Sequence, residues 1–438
     1  MAEETLFPVG AAEAKPARIS EGGVPRLERP VRNQIEMRAS DLESLIAEDH
    51  QVRAVWDYVE KADLSALYAQ IQSVEGSAGR AAIDPKILLA LWIYATLQRI
   101  GSARALAKLC AEHSAYQWIC GGVSVNYHTL ADFRSQNGEL LDRLLTESVA
   151  RLLNTGLVTL NRVAHDGMRV RANAGSGSFR RQKRLEQFCA EAAEQVRALR
   201  KELDEDPGAS DLRRKAARER AARERKERIE EALRQYPEVR EKKMKDKDEA
   251  RVSITDPEAR RMHMPDGGFR PAYNVQLTTD TASQVIAGVE VINNGSDGGQ
   301  LVPAVQQLET RYQTTPSEFL TDGGFVKKED IEQLASASHA CKVYAPVPLP
   351  KVPGKAQDEP YSSESPTVSE WHSRMATPEA KQIYKERAST AECVNALARN
   401  RGLQQFPVRG LKKVRAVVLL FALAHNLMCM ARLLGVMA

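Results

Sequence analysis

Hydrophobic positions recur at three- and four-residue steps from about residue 41 to 155, the spacing of one helix face. "DLESLIAE", "LSALYAQIQ" and "DPKILLALWIYATLQ" are therefore predicted helices, the third opened by Asp84 as cap and Pro85 at the first helical position. "SARALAKLCAEHSAYQWIC" and "NYHTLADFRSQNGELLDRLLTESVARLLN" read as two amphipathic helices joined at Gly121-Gly122, a helix-turn-helix arrangement. Asn126, His128, Thr129 and Arg134 would then lie where a recognition helix reaches DNA. An ordinary helical bundle with a polar outer face fits the same pattern equally well.

The period changes after residue 155. "LVTLNRVAHDGMRVRA" is rich in Val, Leu and Thr and predicts a strand containing or ending near Asp166. From 179 to 250 Arg, Lys, Glu and Ala dominate, with Leu185, Phe188, Ala192, Val196, Leu199 and Leu203 spaced as a coiled-coil seam. "DEDPGASD" (204–211) interrupts it, so a helical hairpin inserted between strands is expected. Next come two strands around Thr279-Asp280-Thr281, a short strand "SEFL" ending at Asp322, a helix in "VKKEDIEQLASAS" and a strand in "ACKVYAPV". Residues 347–378 read as a Pro- and Ser-rich loop, and a long helix from near Pro378 leads into the last apolar segment. This is an α/β order wrapped around an insertion.

Four units follow: a disordered tail over 1–40, a helical domain over 41–155, an α/β domain over 156–178 and 251–438, and the hairpin over 179–250. With 438 residues the chain is too long for one ordinary core. "MAEETLFPVGAAEAKPARIS" lacks the basic start and apolar run of a secretion signal. "AVVLLFALAHNLMCMARLL" has nearly the length of a membrane span, but His425, Asn426 and Arg432 interrupt it, so a core helix is expected and no membrane partner. The six cysteines are scattered with no C-x-x-C pair, which excludes a zinc ribbon and fits a reducing cytosol.

Lys and Arg number 62 against 58 Asp and Glu, so net charge makes no argument for nucleic acid. The distribution does. Arg399, Arg401, Arg409, Lys412, Lys413 and Arg415 fall between 393 and 415 with no acid among them, a strip that suits a polyanion. Balancing helix C-termini or the acids of the insert is the other reading of the strip.

Asp166 ("HDG") and Asp322 ("TDGG") both lie where an apolar strand gives way to glycine, the end of an α/β sheet that faces a ligand crevice. Two ionised carboxylates brought together repel unless a cation lies between them, and hard oxygen ligands suit Mg²⁺ or Mn²⁺. A third acid is sought in "YKERASTAECVNALARNR" (384–401). At about 100° per residue Tyr384, Arg387, Glu392, Asn395 and Arg399 share one broad face, whereas Glu386 falls on the far side, so Glu392 is the choice.

Those residues resemble the DDE transposases of bacterial insertion sequences. The resemblance runs from about residue 45 to the end: "AHDGMRVRANA", "TDPEAR" (255–260) with "AYNVQ" (272–276), "TDGGF" (321–325), and a Tyr, Arg, Glu, Lys-or-Arg signature matched by Tyr384, Arg387, Glu392 and Arg399. It implies a ribonuclease-H-like catalytic core preceded by a domain that helps bind element ends. Asp166, Asp322 and Glu392 would hold two Mg²⁺ (or Mn²⁺) ions and be catalytic. Arg387 and Arg399 would hold phosphates, with Arg401, Lys412 and Lys413 on the same basic strip, and Tyr384 would stack on or hydrogen-bond a base near the cut. Double-stranded DNA is the implied partner, a homodimer the implied active form, and the bacterial nucleoid the implied location. A nuclease that cuts without joining, a DNA-binding scaffold without catalysis, and Tyr384 as a covalent nucleophile are the rival expectations.

Overall fold

The structure is a computed structural model, and it describes residues 41–73, 81–205, 211–336, 341–350 and 359–435 together with isolated positions elsewhere. Met1–Asp41 forms a unit of its own in which only scattered positions are described, so the tail expected there lies outside the described residues.

Among the described residues seven α-helices come first: α1 (Gln51–Glu60), α2 (Ser65–Tyr68), α3 (Pro85–Leu97), α4 (Ala103–Glu112), α5 (Ser114–Cys120), α6 (Tyr127–Gln136) and α7 (Gly138–Asn154). Asp84 caps α3 through the Lys86 amide at 2.8 Å, with Pro85 in its first turn. Each of the two long helices expected over 102–154 is instead a pair. His113 adopts an extended conformation (φ −124°, ψ 127°) and its Nδ1 accepts the Ala115 amide, starting α5 afresh. Asn137 leaves the helical region (φ −103°, ψ 29°), and the Gly138 that follows packs close to Ala416. The break turns α7 toward the C-terminal helix.

A mixed sheet follows, built from β1 (Arg162–Arg171), β4 (Arg260–His263), β5 (Phe269–Asp280), β6 (Ile286–Ile292), β7 (Glu318–Leu320) and β8 (Lys342–Tyr344). β5 lies antiparallel to β1, and β4 and β6 pair along its other edge; β7 and β8 continue from β1 in parallel. β4, which the sequence reading did not anticipate, is a four-residue edge strand. β2 (Phe179–Arg180) and β3 (Val252–Ser253) form a small ladder that closes the base of the insert. Between them α8 (Gln182–Glu205) and α9 (Leu212–Lys242) fold back on one another, burying Val196 and Leu199 against Ala222 and Leu185 against Ala232 and Tyr236. The seam read from sequence is thus satisfied within one chain.

The remaining helices are α10 (Leu301–Tyr312), α11 (Lys328–Ser336), α12 (Pro366–Ala376), α13 (Pro378–Arg387), α14 (Cys393–Asn400) and α15 (Leu411–Leu433). α12 corrects the loop expected over 347–378: Ser365 accepts the Val368 amide as cap, and Pro366 occupies the first turn. The helix starting at Pro378 appears as expected but does not run on into α15, because residues 401–410 leave the helix between them.

α15 is the one helix among the described residues with the length and hydropathy of a membrane span, and 78% of its most apolar window is buried inside the fold. It packs against α3, α6, α7 and β6, so the N-terminal helices and the sheet share one hydrophobic core. Its polar interruptions have structural partners. Asn426 accepts from the Ile286 amide and donates to the Ile286 carbonyl, both at 2.8 Å, satisfying the exposed edge of β6. His425 Nε2 lies 2.8 Å from the Gln284 carbonyl and must carry the proton, since a carbonyl only accepts.

Burial pulls the His425 imidazole down to about 4 from 6.5, with Arg401 and Arg432 reinforcing it against the Gln284 bond. The folded state therefore resists protonation that the unfolded chain takes up near 6.5. Its contribution to stability is fully present above pH 6.5 and is lost as pH falls toward 4, at most about 3 kcal/mol. The urea-unfolding free energy of wild type should drop relative to His425→Gln over that window. A difference between the two proteins that stays constant from pH 7 to 4 would contradict a neutral buried imidazole.

Candidate active site

Asp166 does not end its strand. β1 continues to Arg171 because β5 pairs with it throughout, Asp166 opposite Leu277 and Arg171 opposite Ala272. The parallel partner is what stops. Ala164 is the last β1 residue paired with β7, opposite Leu320, so two residues further along each chain stand Asp166 and Asp322, side by side where β7 gives way to the turn. Parallel strands release side chains into a crevice at their carboxyl ends, and this register brings both acids to it.

Asp166 is mostly buried and fully engaged: Oδ1 accepts the Gly167 amide at 2.9 Å, while Oδ2 accepts Asn395 Nδ2 at 3.0 Å and pairs with Arg387 Nη2 at 3.2 Å. Burial raises its carboxyl above the ordinary range, Arg387 and the Gly167 amide oppose that, and the charge on Asp322 adds to it. Asp322 is exposed, and its Oδ1 accepts the Gly324 amide at a long 3.4 Å. Arg387 Nη1 reaches Glu392 Oε1 at 2.6 Å, so one guanidinium bridges two of the three acids. The half-buried Tyr384 phenol is raised by burial, with Arg387 opposing and Asp322, Glu392 and Asp166 all adding. All three carboxylates therefore act on the same small region.

A local distortion makes the Arg387–Glu392 contact possible. In a regular α-helix residues five apart point about 140° away from each other. Ala388–Glu392 instead forms a π-turn between α13 and α14, whose wider turn aligns i with i+5. Its cause is in the sequence: the hydroxyls of Ser389 and Thr390 both donate to the Glu386 carbonyl, at 3.0 and 2.8 Å, and compete with the helical ladder. Glu386 itself pairs with Arg162 of β1 at 2.7 Å, anchoring α13 to the sheet.

The opposite face of β1 carries a polar network the sequence reading missed. Asp297 Oδ1 accepts Asn274 Nδ2 at 2.6 Å and Gln276 Nε2 at 3.0 Å, and its Oδ2 accepts Arg169 Nη2 at 3.2 Å. Gln276 must then turn its oxygen to His165 Nε2, which fixes the imidazole tautomer and leaves Nδ1 to accept from Thr278. Residue 167 has to be glycine here: a Cβ would lie 2.5 Å from Asp297 Oδ1 and 2.7 Å from Gln276 Nε2. All three residues of "HDG" thus have a role. Asp297 escaped notice because "NNGSDGG" reads as turn chemistry; its signal was a lone acid among small residues directly after a strand. Asn395 was on the face drawn from the helical wheel but had no role assigned.

Other residues singled out in the sequence scatter. Asn126 caps α6 through the Thr129 amide and donates to the Thr129 hydroxyl, both at 3.0 Å, and His128 is exposed beside Tyr127. Arg134 is only 6% exposed, donates to the Gly101 carbonyl at 2.6 Å and lies 4.3 Å from the Trp92 ring, so it does not face outward with them. Arg399, Lys412 and Lys413 are exposed, the two lysines in the first turn of α15. Arg401 is largely buried. Arg409 donates to the Asn173 carbonyl and Arg415 pairs with Asp142.

The donor set suits a hard divalent cation in its chemistry, three carboxylates with a cationic group already drawn between two of them. Its arrangement is open: no group of three His, Cys, Asp or Glu among the described residues stands at ligand distances. Two family models match the chain, a transposase domain (DUF772) over residues 40–136 and a transposase DDE domain over 359–431. The second spans Tyr384, Arg387, Glu392, Asn395 and Arg399. Comparison with curated proteins and with solved structures finds no match.

Proposed function

The chain is a DDE-type transposase of an insertion sequence, and from that premise we propose that Asp166, Asp322 and Glu392 are its catalytic acids, cutting and joining DNA at the element's ends. One observation carries the reading: the β1–β7 register that sets Asp166 beside Asp322, with Arg387 linking Asp166 to Glu392 from a different part of the chain. The core is read as ribonuclease-H-like. Its support is the strand order β6-β5-β1-β7-β8, with β5 antiparallel to β1 and the last two strands parallel to it.

Two Mg²⁺ or Mn²⁺ ions held by the three acids would supply an activated water, or later a 3′-hydroxyl, and stabilise the departing oxygen. The protein's own groups do the rest. Asn395 and the Gly167 amide fix the orientation of the Asp166 carboxylate. Arg387 neutralises Asp166 and Glu392 in the free protein and becomes available to a phosphate once they are otherwise balanced. Tyr384, half-buried beside them, offers a ring and a hydroxyl to a base next to the cut. Arg399, Lys412 and Lys413 extend an exposed basic surface for the backbone, and Asn126, His128 and Thr129 are the surface residues of the helical unit assigned to the ends. A homodimer on paired DNA ends is part of the reading; the insert, whose seam is filled internally, adds nothing to it.

The test is incubation of the full chain with duplex DNA from both flanks of its gene. Mg²⁺-dependent nicks that leave a 3′-hydroxyl at the element boundary, followed by joined products, are expected. Cuts without joined products would leave a nuclease, and intact flanking DNA under Mg²⁺ and Mn²⁺ alike would end the reading.

A further inference from the structure

Two arginines selected from sequence for unrelated reasons, Arg134 in α6 and Arg401 after α14, meet in one cavity. It encloses about 110 Å³ and its wall includes Trp92, Arg99, Gly101, Arg134, Arg401 and Phe421. None of the described residues lining it is acidic. We propose that this cavity is a binding site for a phosphate-type oxyanion, held by Arg134 and Arg401 from within and Arg99 at its mouth.

Charges taken out of water are ordinarily paired, because an uncompensated buried ion is strongly unfavourable. Among the described residues Arg134 has only the Gly101 carbonyl and the Trp92 ring, and its buried Nε has no partner there. Arg401 likewise keeps a buried Nη1 without a partner. Burial outweighs everything else in lowering Arg401; Cys429 acts in its favour and Arg99, the smaller effect, against it. Burial also pulls Arg134 down to about 10. Arg99, the exposed member, takes the left-handed position (φ +65°) that closes α3, where the Ile100 amide bonds back to the Ala95 carbonyl at 2.7 Å. Unpaired buried donors, a third cation at the rim and apolar walls together describe a pocket built for an anion.

Guanidinium forks match the oxygens of a phosphate, and donors converging from three chain segments suit a tetrahedral group better than a planar carboxylate. The phosphate can come from a DNA backbone or from a free phosphorylated solute. The inference stands apart from the catalytic assignment, since none of the three acids lines this cavity.

Melting of the full chain and calorimetry with inorganic phosphate, against sodium chloride at matched ionic strength, test it. Wild type should gain thermal stability from phosphate but not from chloride. Arg401→Met should bind phosphate at least about 10-fold more weakly while melting no lower than wild type in phosphate-free buffer, because it removes an unpaired charge. Arg134→Met is the companion variant, although loss of the Trp92 contact compromises its folding. Binding to flanking DNA separates the sources. A salt dependence reduced by about one phosphate contact in Arg401→Met, with inorganic phosphate competing, identifies the backbone. Phosphate binding with an unaltered DNA salt dependence identifies a free solute. Wild type indifferent to phosphate, together with an Arg401→Met protein whose DNA binding keeps the wild-type salt dependence, would overturn the proposal.

Discussion

Asp166→Asn, Asp322→Asn and Glu392→Gln should each lower Mg²⁺-dependent nicking of element-end DNA by at least about 10³-fold, equivalent to ~4 kcal/mol of transition-state stabilisation. Binding of the same DNA should change little, because the exposed basic groups of α14 and α15 are untouched. The substitutions keep side-chain size, but Asn at 166 turns an NH2 toward donors that both Asp166 oxygens now accept and leaves Arg387 paired with Glu392 alone, so urea unfolding measured beside nicking separates lost folding from lost chemistry. Residues that act as one unit do not add, so any pair of these changes should cost little more than one. Tyr384→Phe keeps the ring and should retain nicking; its inactivity, with a protein–DNA adduct trapped in wild type, would transfer the chemistry to the phenol. Nicking near wild-type rate by any one of the acid variants removes that acid from the assignment.

Much of this arrangement was legible in the sequence for a physical reason. β1, β5 and β7 are short apolar runs punctuated by glycine or polar turns, and period alone marks them. The insert announces itself by composition, and Glu392 could be preferred over Glu386 by a wheel drawn at the α-helical angle. That wheel does not give the contact the structure shows. It leaves Arg387 and Glu392 far apart, and only the π-turn set by Ser389 and Thr390 brings them to 2.6 Å. Tertiary pairing was invisible in the same way: Asp166 looked like the end of a strand because its apolar pattern stops, whereas β5 carries the backbone ladder five residues further. The side chains beyond Asp166 on the outward face, Gly167 and Arg169, are polar or absent because Asp297 is there to receive them. Arg134 misled for the opposite reason. Helical spacing cannot distinguish an arginine that faces water from one laid over a tryptophan.

Arg387→Gln should destabilise the protein in EDTA and much less in Mg²⁺. Its guanidinium is mostly buried and spans a buried carboxylate, Asp166, and a half-exposed one, Glu392, whose side chains are 18% and 54% exposed. Removing one partner of a buried pair leaves the other charge uncompensated, at a cost of several kcal/mol in full burial; exposure of Glu392 reduces this to about 2 kcal/mol. Glutamine preserves a donor but not the charge. Asp166 and Glu392 then need another cation, and on the proposed chemistry Mg²⁺ is that cation, so the loss measured by urea unfolding in EDTA should be largely recovered at millimolar Mg²⁺. The same substitution removes the competitor for the carboxylates, so the Mg²⁺ concentration needed for half of that stabilisation should fall below the wild-type value. If Arg387→Gln loses the same stability with and without Mg²⁺, the carboxylates do not exchange the guanidinium for a metal, and Arg387 is a fixed structural counter-ion.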